Sequence, residues 1–582
     1  MADIVLYDEA GEPVTYENVE TLTTDTPTEG KTVTFTLGEV MDSLEVELNL
    51  ADGDQTVTVP EGKLLKDLTI KKPVTLVPEN IADGVEIGGV TGTAINGLPI
   101  VEGTLSILSC NARNVRSYAF FSATTLEEVN LPECVSIGDS AFLNCSNIKK
   151  IYAPQCTYIG EYAFSEAFFK NPTSDMLKLS DTFEYLGQYA FYSYGGVIPT
   201  EVEGSYTYMN GCIISAKSLP STGTLSLPDR ATCIGLAFRP LGYLSVTSVY
   251  GKNVKGIASN TFQWPSLMYM NLPNLKYIGY SAFSALKLAS VSFPLVENIP
   301  YACFSNAKSL VSITMPNVKS VGNYAFVSCI SLTSLSFSKC EYVGLYAFAS
   351  CSKLSNVYIP KCKKIGAGAF YLAPITEINV PECEVVDVAA FLSCSALTDV
   401  YAPNCKSIGD KCFQSCYKLQ NVNIDSCSEL GSNVFYTCSK LSNLRLPKEC
   451  KEIKNSAFAY CSELTSISIP GCEQIGVGAF GGCWKLSEIS IPMCKKILNS
   501  AFGSNLRSLK SVYLLGSEYV SLGGSSVFMK GQVVTGGSMP SFYFRESMLQ
   551  TYKSMQYWSD YSSHMIGLSD EDITKLNDGG TL

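Results

Sequence analysis

Residues 347–370 read AFASCSKLSNVYIPKCKKIGAGAF, and this stretch decides the fold. Ala347-Phe348 opens it and Cys351 follows three residues later. Leu354-x-x-Val357-x-Ile359-Pro360-x-Cys362-x-x-Ile365-Gly366 then leads to a second pair, Ala369-Phe370, 22 residues after the first. The pivotal aromatic recurs from Phe120 through Phe142, Phe164 and Phe191 to Phe480 and Phe502, seventeen times in all, mostly in steps of 21 to 23 residues. A period of that size marks a solenoid in which each repeat is one coil, with no core of its own until a neighbour covers it.

Within the coil, Leu354, Val357 and Ile359 alternate with Ser355, Asn356 and Tyr358, the pattern of a short strand with one buried face. Equivalent strands on successive coils would pair in parallel. Pro360 ends the strand because proline has no N–H for the ladder. Gly366, recurring as Gly138, Gly160, Gly322, Gly344 and others, predicts a turn that needs either positive φ or close backbone approach. The Gly-x-x-Ala-Phe-x-x-Cys segment has room for one or two helical turns, expected to be partly 3₁₀.

The Cys after the Pro stands where leucine-rich repeats carry Asn or Cys. Together with the IG-x-x-AF-x-x-C half, it resembles the BspA-like leucine-rich repeats of bacterial surface proteins, over roughly 400 of the 582 residues. The implied fold is an α/β solenoid of leucine-rich-repeat coils of about 22 residues with a parallel β-sheet. A small β-rich domain, residues 1–98, precedes the solenoid at 99–515, and a capping segment and tail follow at 516–582. The register departs from the pattern twice: five extra residues precede Phe191, and a gap of 47 separates Phe191 from Phe238.

In the N-terminal domain, residues 76–93, LVPENIADGVEIGGVTGT, follow a TV-x-V-x-x-GK pattern. They resemble segments of tail and fibre proteins of phages and prophages of Gram-positive gut bacteria, which implies attachment to other virion tail proteins. The same residues also read as a plain β-rich linker. The opening MADIVLYDEAGEP has neither a basic nor an apolar leader region, so no secretory signal is expected. No run approaches the length of a membrane span, and no membrane insertion is expected.

Net charge is −12, but residues 1–98 hold 19 acidic and 5 basic residues while the remainder is nearly neutral. No basic stripe offers itself to nucleic acid. The 23 cysteines sort by column. Ten, including Cys340, Cys362 and Cys383, sit eight residues before a pivotal Phe, and eight, including Cys329, Cys351 and Cys394, sit three after one. Residues placed by coil register act as small buried apolar groups, so most are expected to be free thiols. The segment at 542–568, with Met548, Leu549, Tyr552, Met555, Trp558 and Tyr561, is expected to cap the last coil, and the polar EDITKLNDGGTL tail at 571–582 to be loose.

His564 is the one histidine, so the repeats hold no Ser-His-Asp or Cys-His pair, and the thiols lack C-x-x-C spacing. No metal, no cofactor and no catalytic residue is expected. Gly476-x-Gly478-x-x-Gly481 matches a dinucleotide fingerprint only because the repeat places its turn glycine and Ala-Phe pair there. The outward strand column reads Tyr152, Tyr358, Asn379, Tyr401, Asn423, Arg445 and Tyr513 among serines and threonines. These residues are the candidate recognition face, since tyrosine gives rigid contact area and Asn and Ser adaptable hydrogen bonds. The plainer reading is that such residues tolerate an exposed strand. The expectation is a phage tail-associated receptor-binding protein on the virion, engaging a host cell-surface protein or glycan through the repeats. The alternative is a bacterial surface adhesin, and a glycan-cleaving enzyme ranks behind both. Homo-oligomerisation, and recognition through the 165–237 insertion or the cap, stay open.

Overall fold

The computed structural model describes nine short strands between residues 4 and 91, then residues 107–109, 111–167, 177–191, 200–220, 222–235, 245–262, 264–503, 508–528 and 539–577. The chain forms two compact units. The first comprises Met1–Leu219, Pro228–Pro240 and Asn253–Thr261; the second comprises Pro220–Leu227, Leu241–Lys252 and Phe262–Leu582.

The second unit contains the most regular coils. In the coil of residues 348–370, Leu354 and Ile359 are fully buried while Asn356–Tyr358 forms a strand parallel to Ser334–Ser336 of the coil before. After Pro360 the chain turns a corner, closed by the Cys362 N–H on the Ile359 carbonyl at 3.1 Å. A second strand follows, Lys364–Ile365, which the sequence did not announce. It belongs to a seven-stranded parallel sheet running from Asn298–Ile299 to Glu429–Leu430. Each coil therefore contributes to two sheets, with Ile365 filling the core behind the second.

The third side of the coil differs from expectation. No α- or 3₁₀-helix is found among the described residues of the repeats, and Gly-x-x-Ala-Phe-x-x-Cys is a run of turns. Alternate amides explain it. The N–H groups of Tyr346, Phe348 and Ser350 donate to Ala367, Ala369 and Tyr371 of the next coil at 2.9, 2.7 and 2.7 Å. Those of Ala347, Ala349 and Cys351 turn back to Gly344, Tyr346 and Phe348. A helix would spend all of them within the segment; the turns share them with the neighbouring coil, forming a third ladder. The geometry puts two residues per coil in the left-handed region, two before and two after the Phe, such as Tyr346 at φ 48° and Ser350 at φ 58°. Left-handed backbone costs a side-chain-bearing residue roughly 1–2 kcal/mol. Of the two reasons offered for the turn glycine, close approach is the one found. A Cβ on Gly366 would lie 2.8 Å from the Gly344 carbonyl carbon, while its φ is not positive.

Side chains stack along the axis as the backbone does. Phe348, Phe370 and Phe391 pack face to face at 5.3 and 5.4 Å, as the period predicts, and each is buried. Burying a residue of this size contributes about 1.5–3 kcal/mol and the ring pair about 0.5–1.5 more. The cysteines are more than small apolar groups. Cys362 donates its thiol to the Lys364 carbonyl at 3.3 Å, tying the corner, and Cys351 reaches the Phe326 carbonyl of the coil before at 3.1 Å. The same two bonds recur along both columns, as at Cys340 and Cys416. A thiol is the apolar side chain that can still donate weakly to a buried carbonyl. Among the described residues twenty cysteines are free, all buried, and Cys212 is bonded to Cys233.

The unit ends in a cap. Ser541–Arg545 and Met565–Leu568 extend the parallel sheet, and Phe528 continues the ring ladder 5.0 Å from Phe502. Trp558, Tyr552 and Tyr561 are buried over that last layer, and the Trp558 Nε1–H donates to the Val520 carbonyl at 2.7 Å. The tail expected to be loose contains a helix, Asp570–Asn577. Ser569 and Asp572 cap it reciprocally, the Ser569 hydroxyl donating to the carboxylate at 2.7 Å and accepting the Asp572 N–H.

The first unit begins with the same architecture. Parallel first strands run from Ile107–Ser109 to Leu177–Leu179, second strands from Asn114–Val115 to Tyr185–Leu186, and Phe120, Phe142, Phe164 and Phe191 stack. The long gap then holds an antiparallel hairpin, Glu201–Glu203 with Tyr206–Met209, which continues into Cys212–Ala216. Cys212–Ala216 pairs in parallel with Cys233–Ile234, returning the chain to coil register. Of the N-terminal domain only strand pairing is described, including the antiparallel pair Glu86–Ile87 and Val90–Thr91. The side chains of the tail-like segment lie outside the described residues.

Candidate recognition surface

The first-strand face is built by alternation. In Asn356–Tyr358, Glu377–Asn379 and Asp399–Tyr401 the outer residues point away from the core and the middle residue toward it. Tyr358 and Tyr401 are 57% and 47% exposed, large values for rings on a strand. Asn379, Tyr401 and Asn423 are register partners on three adjacent parallel strands, so they form one row. Tyr358 is paired with Ser336, and Arg445, also exposed, with Ser468. Tyr152, exposed and paired with Asn130, belongs to the first unit.

Two candidates differ from expectation. Tyr513 is half-buried, its ring stacked 4.7 Å from Tyr543 of the cap, because the sheet continues past the last regular coil. Asn423 is half-buried as well, and its Oδ1 has no hydrogen-bond partner among the described residues.

Charge is placed beside this face and cancelled there. The residue after each corner cysteine or its apolar equivalent alternates in sign along the axis: Glu297, Lys319, Glu341, Lys363, Glu384, Lys406. The ladder closes in pairs, Lys319 on Glu297, Lys363 on Glu341 and Lys406 on Glu384, at 2.7 to 2.8 Å. Each lysine holds its partner glutamate below the usual carboxylate range. Exposed pairs of this kind contribute little to stability, about 0–1 kcal/mol each.

The buried groups are poor reagents. Burial pushes the thiols of Cys145, Cys329, Cys362, Cys483 and Cys494 up to about 12, and a thiol that stays protonated is neither nucleophile nor metal ligand. Among the described residues no group of three or more His, Cys, Asp or Glu could hold a metal ion. No helix among them is long and apolar enough to cross a membrane. The fingerprint-like glycines occupy the repeat turn, with Gly478 left-handed at φ 65°. In the first unit Glu161 is a buried acid. Desolvation pushes it up to about 7, against the pull of hydrogen bonds from the Ser259 and Tyr185 hydroxyls, while Asp139 adds repulsion.

A second aromatic row was missed. Tyr280, Tyr301, Tyr324, Tyr346 and Tyr371 line the turn side of five successive coils in the second unit. Its signal was in the sequence, as a tyrosine within three residues of the pivotal Phe in GYSAF, PYACF, NYAF, LYAF and AFYL.

The chain matches the family described as BspA type leucine rich repeat region, in six copies, over residues 113–239, 237–317, 276–398 and 384–510. Among solved structures it is similar to a leucine-rich repeat protein from Bacteroides ovatus, at 17% identity over 64% of this chain and 100% of that one, with a TM-score of 0.43. A leucine rich cell surface protein from Faecalibacterium prausnitzii aligns at 18% identity over 64% and 99%, TM-score 0.31. A leucine-rich repeat protein from T. pallidum aligns at 26% over 34% and 83%, TM-score 0.23. No curated protein matches the sequence.

Proposed function

This chain belongs to the BspA-type leucine-rich repeat family, and from that premise we propose that it is a recognition scaffold of a bacterial surface. It holds a host cell-surface protein or glycan on the first-strand face of its repeats. The observation that carries the reading is the row Asn379–Tyr401–Asn423 with Tyr358 beside it. Large rings stand exposed on a strand backbone held by its neighbours, and a tyrosine has few rotamers to lose on binding. No catalytic step is assigned to it. Replacing Tyr358→Ala and Tyr401→Ala together leaves thermal unfolding nearly unchanged and weakens adherence of protein-coated beads to epithelial monolayers about fivefold, the loss expected for an aromatic anchor. Unchanged adherence by the folded double variant would place the contact elsewhere, on the 165–237 insertion or the cap.

A second reading is favoured by one feature, residues 76–93 with their likeness to phage tail and fibre segments. In that reading residues 1–98 attach the chain to other tail proteins and the same repeat face binds the host bacterium. Mass spectrometry of purified virions decides: absence of this polypeptide from the particle removes the reading.

A further inference from the structure

We propose that the turn edge of the second unit running over Tyr280, Tyr301, Tyr324, Tyr346 and Tyr371 is a docking platform for a linear, uncharged glycan. It lies on a different side of the coil from the strand face and does not rest on the reading given for that face.

The five rings form an unbroken chain of contacts. Tyr280 meets Tyr301 edge-on at 6.5 Å, Tyr301 meets Tyr324 at 5.7 Å, Tyr324 stacks on Tyr346 at 5.7 Å, and Tyr346 meets Tyr371 at 6.4 Å. Tyr280, Tyr301 and Tyr346 are exposed, and Tyr324 and Tyr371 half-buried. The fold does not ask for these rings. Tyr324 and Tyr346 have φ of 57° and 48°, a region that bulky residues avoid. The next coil places Gly368 at the same position, and a later one places Asn433 there, both of which accept that backbone readily. The turn imposes that backbone whatever the residue, as at Ala389 and Lys411, so the ring is an addition the coil does not require.

The chemistry around the rings selects the occupant. The turn segments GYSAFSAL, PYACFSNA, GNYAFVSC, GLYAFASC and GAGAFYLA, at 279–286, 300–307, 322–329, 344–351 and 366–373, contain no charged residue. A phosphate, sulfate or uronate chain would find no cation on these segments. Aromatic faces suit the C–H faces of pyranose rings, and the phenol hydroxyls can hydrogen-bond sugar hydroxyls at the rim. Spacing adds the shape. One tyrosine per coil gives a row of five rings whose centroids step by 5.7 to 6.5 Å, of the order of one sugar residue of an extended chain.

The test uses the full chain against cellohexaose, chitohexaose and mannohexaose, their disaccharides, and sulfated and sialylated oligosaccharides, by microarray and then calorimetric titration. The expected result is binding of at least one neutral hexasaccharide, tighter than its disaccharide and tighter than the anionic probes. Tyr324→Gly with Tyr346→Gly lowers that affinity at least tenfold while the melting temperature stays or rises, because glycine accepts the left-handed backbone. Tyr280→Ser with Tyr301→Ser lowers it comparably. Absence of neutral-glycan binding, affinity independent of chain length, preference for anionic probes, or retained binding in both double variants each overturns the proposal. A purified protein ligand whose binding survives deglycosylation and is lost with Tyr324→Gly/Tyr346→Gly would assign the edge to a protein instead. Tyr358 and Tyr401 are intact throughout, so the strand-face reading stands or falls separately.

Discussion

The regular coils around Phe348–Phe502 and the irregular part of the first unit that holds Glu161, Tyr208, Arg230 and Ser259 solve the same problem with different groups. In the regular coils, buried backbone carbonyls are met by amides of the next coil and by thiols, and few side chains carry a charge inside. In the irregular stretch the period is broken, and side chains take over. Glu161 is buried against Tyr185 and Ser259, Arg230 forks onto Glu201 and Glu203 at the surface, and the buried Tyr208 hydroxyl has no hydrogen-bond partner among the described residues. Strict register lets the backbone satisfy itself. Where register fails, a titratable carboxyl, Glu161, enters the core, and the two regions should answer to different perturbations.

The largest separation is expected at high pH. Four thiols of the regular coils, Cys329, Cys362, Cys483 and Cys494, are raised from an ordinary 9.0 to about 12 by burial. Their folded-state pKa values are above the unfolded ones, so their contribution is complete below pH 9 and is lost as pH climbs toward 12. Each pH unit in that window costs about 1.4 kcal/mol per thiol, on the order of 5 kcal/mol for the four at pH 10. Limited proteolysis should then open the regular coils first, with thiols becoming reactive to a disulfide reagent only after opening. Thiols that react at pH 8 in the native protein would contradict the burial.

Truncation tests the ring ladder next. Phe370→Ala should cost about 3–5 kcal/mol, with faster amide exchange confined to coils near residue 370, because solenoid stability is a sum of neighbour terms. The irregular stretch should exchange as before. Global loss of protection would mean that the coils are not independent.

The irregular stretch should respond in a lower window. Glu161 is raised from 4.5 to about 7, so its protonated form is favoured in the fold. Its penalty is absent below pH 4.5, grows as pH rises to 7, and reaches about 3 kcal/mol there by linkage. Exchange around Tyr185 and Ser259 should therefore be slower at pH 5 than at pH 8 after correction for intrinsic rates, and Glu161→Gln should remove the difference. A pH dependence that survives the substitution would shift the cause to another group.

The smallest effect belongs to the charge ladder. Lys363→Gln leaves Glu341 exposed to water and should not measurably move thermal unfolding at physiological salt. A marked loss at low salt alone would assign the ladder a part in coil alignment.

Much of this was legible from residue spacing. Phe348, Phe370, Cys351, Cys362 and Gly366 recur where a coil must bury them, so coil length, parallel strands and free thiols follow. The third ladder was not legible. Its left-handed positions are filled by Tyr346, Ser350, Ala389 and Lys411, residue types that do not advertise positive φ. Two-residue strands such as Lys364–Ile365 are too short to show alternation. The Asp570–Asn577 helix was announced by Ser569-x-x-Asp572 and overlooked. On the candidate face, alternation identified the outward column but could not tell that Tyr513 would meet Tyr543, since that contact depends on where the sheet ends.

The turn ladder has a consequence for inheritance. Because the amides of Tyr346, Phe348 and Ser350 are completed only by the next coil, each regular coil of this kind, as at Phe326, Phe370 and Phe413, presents the same three open donors to whatever follows. An in-frame duplication or loss of one coil's worth of coding sequence therefore rejoins equivalent partners at all three ladders. A gene of this kind can lengthen or shorten by recombination between its own repeats, changing how many tyrosines are displayed while leaving each junction as sound as the one it replaced.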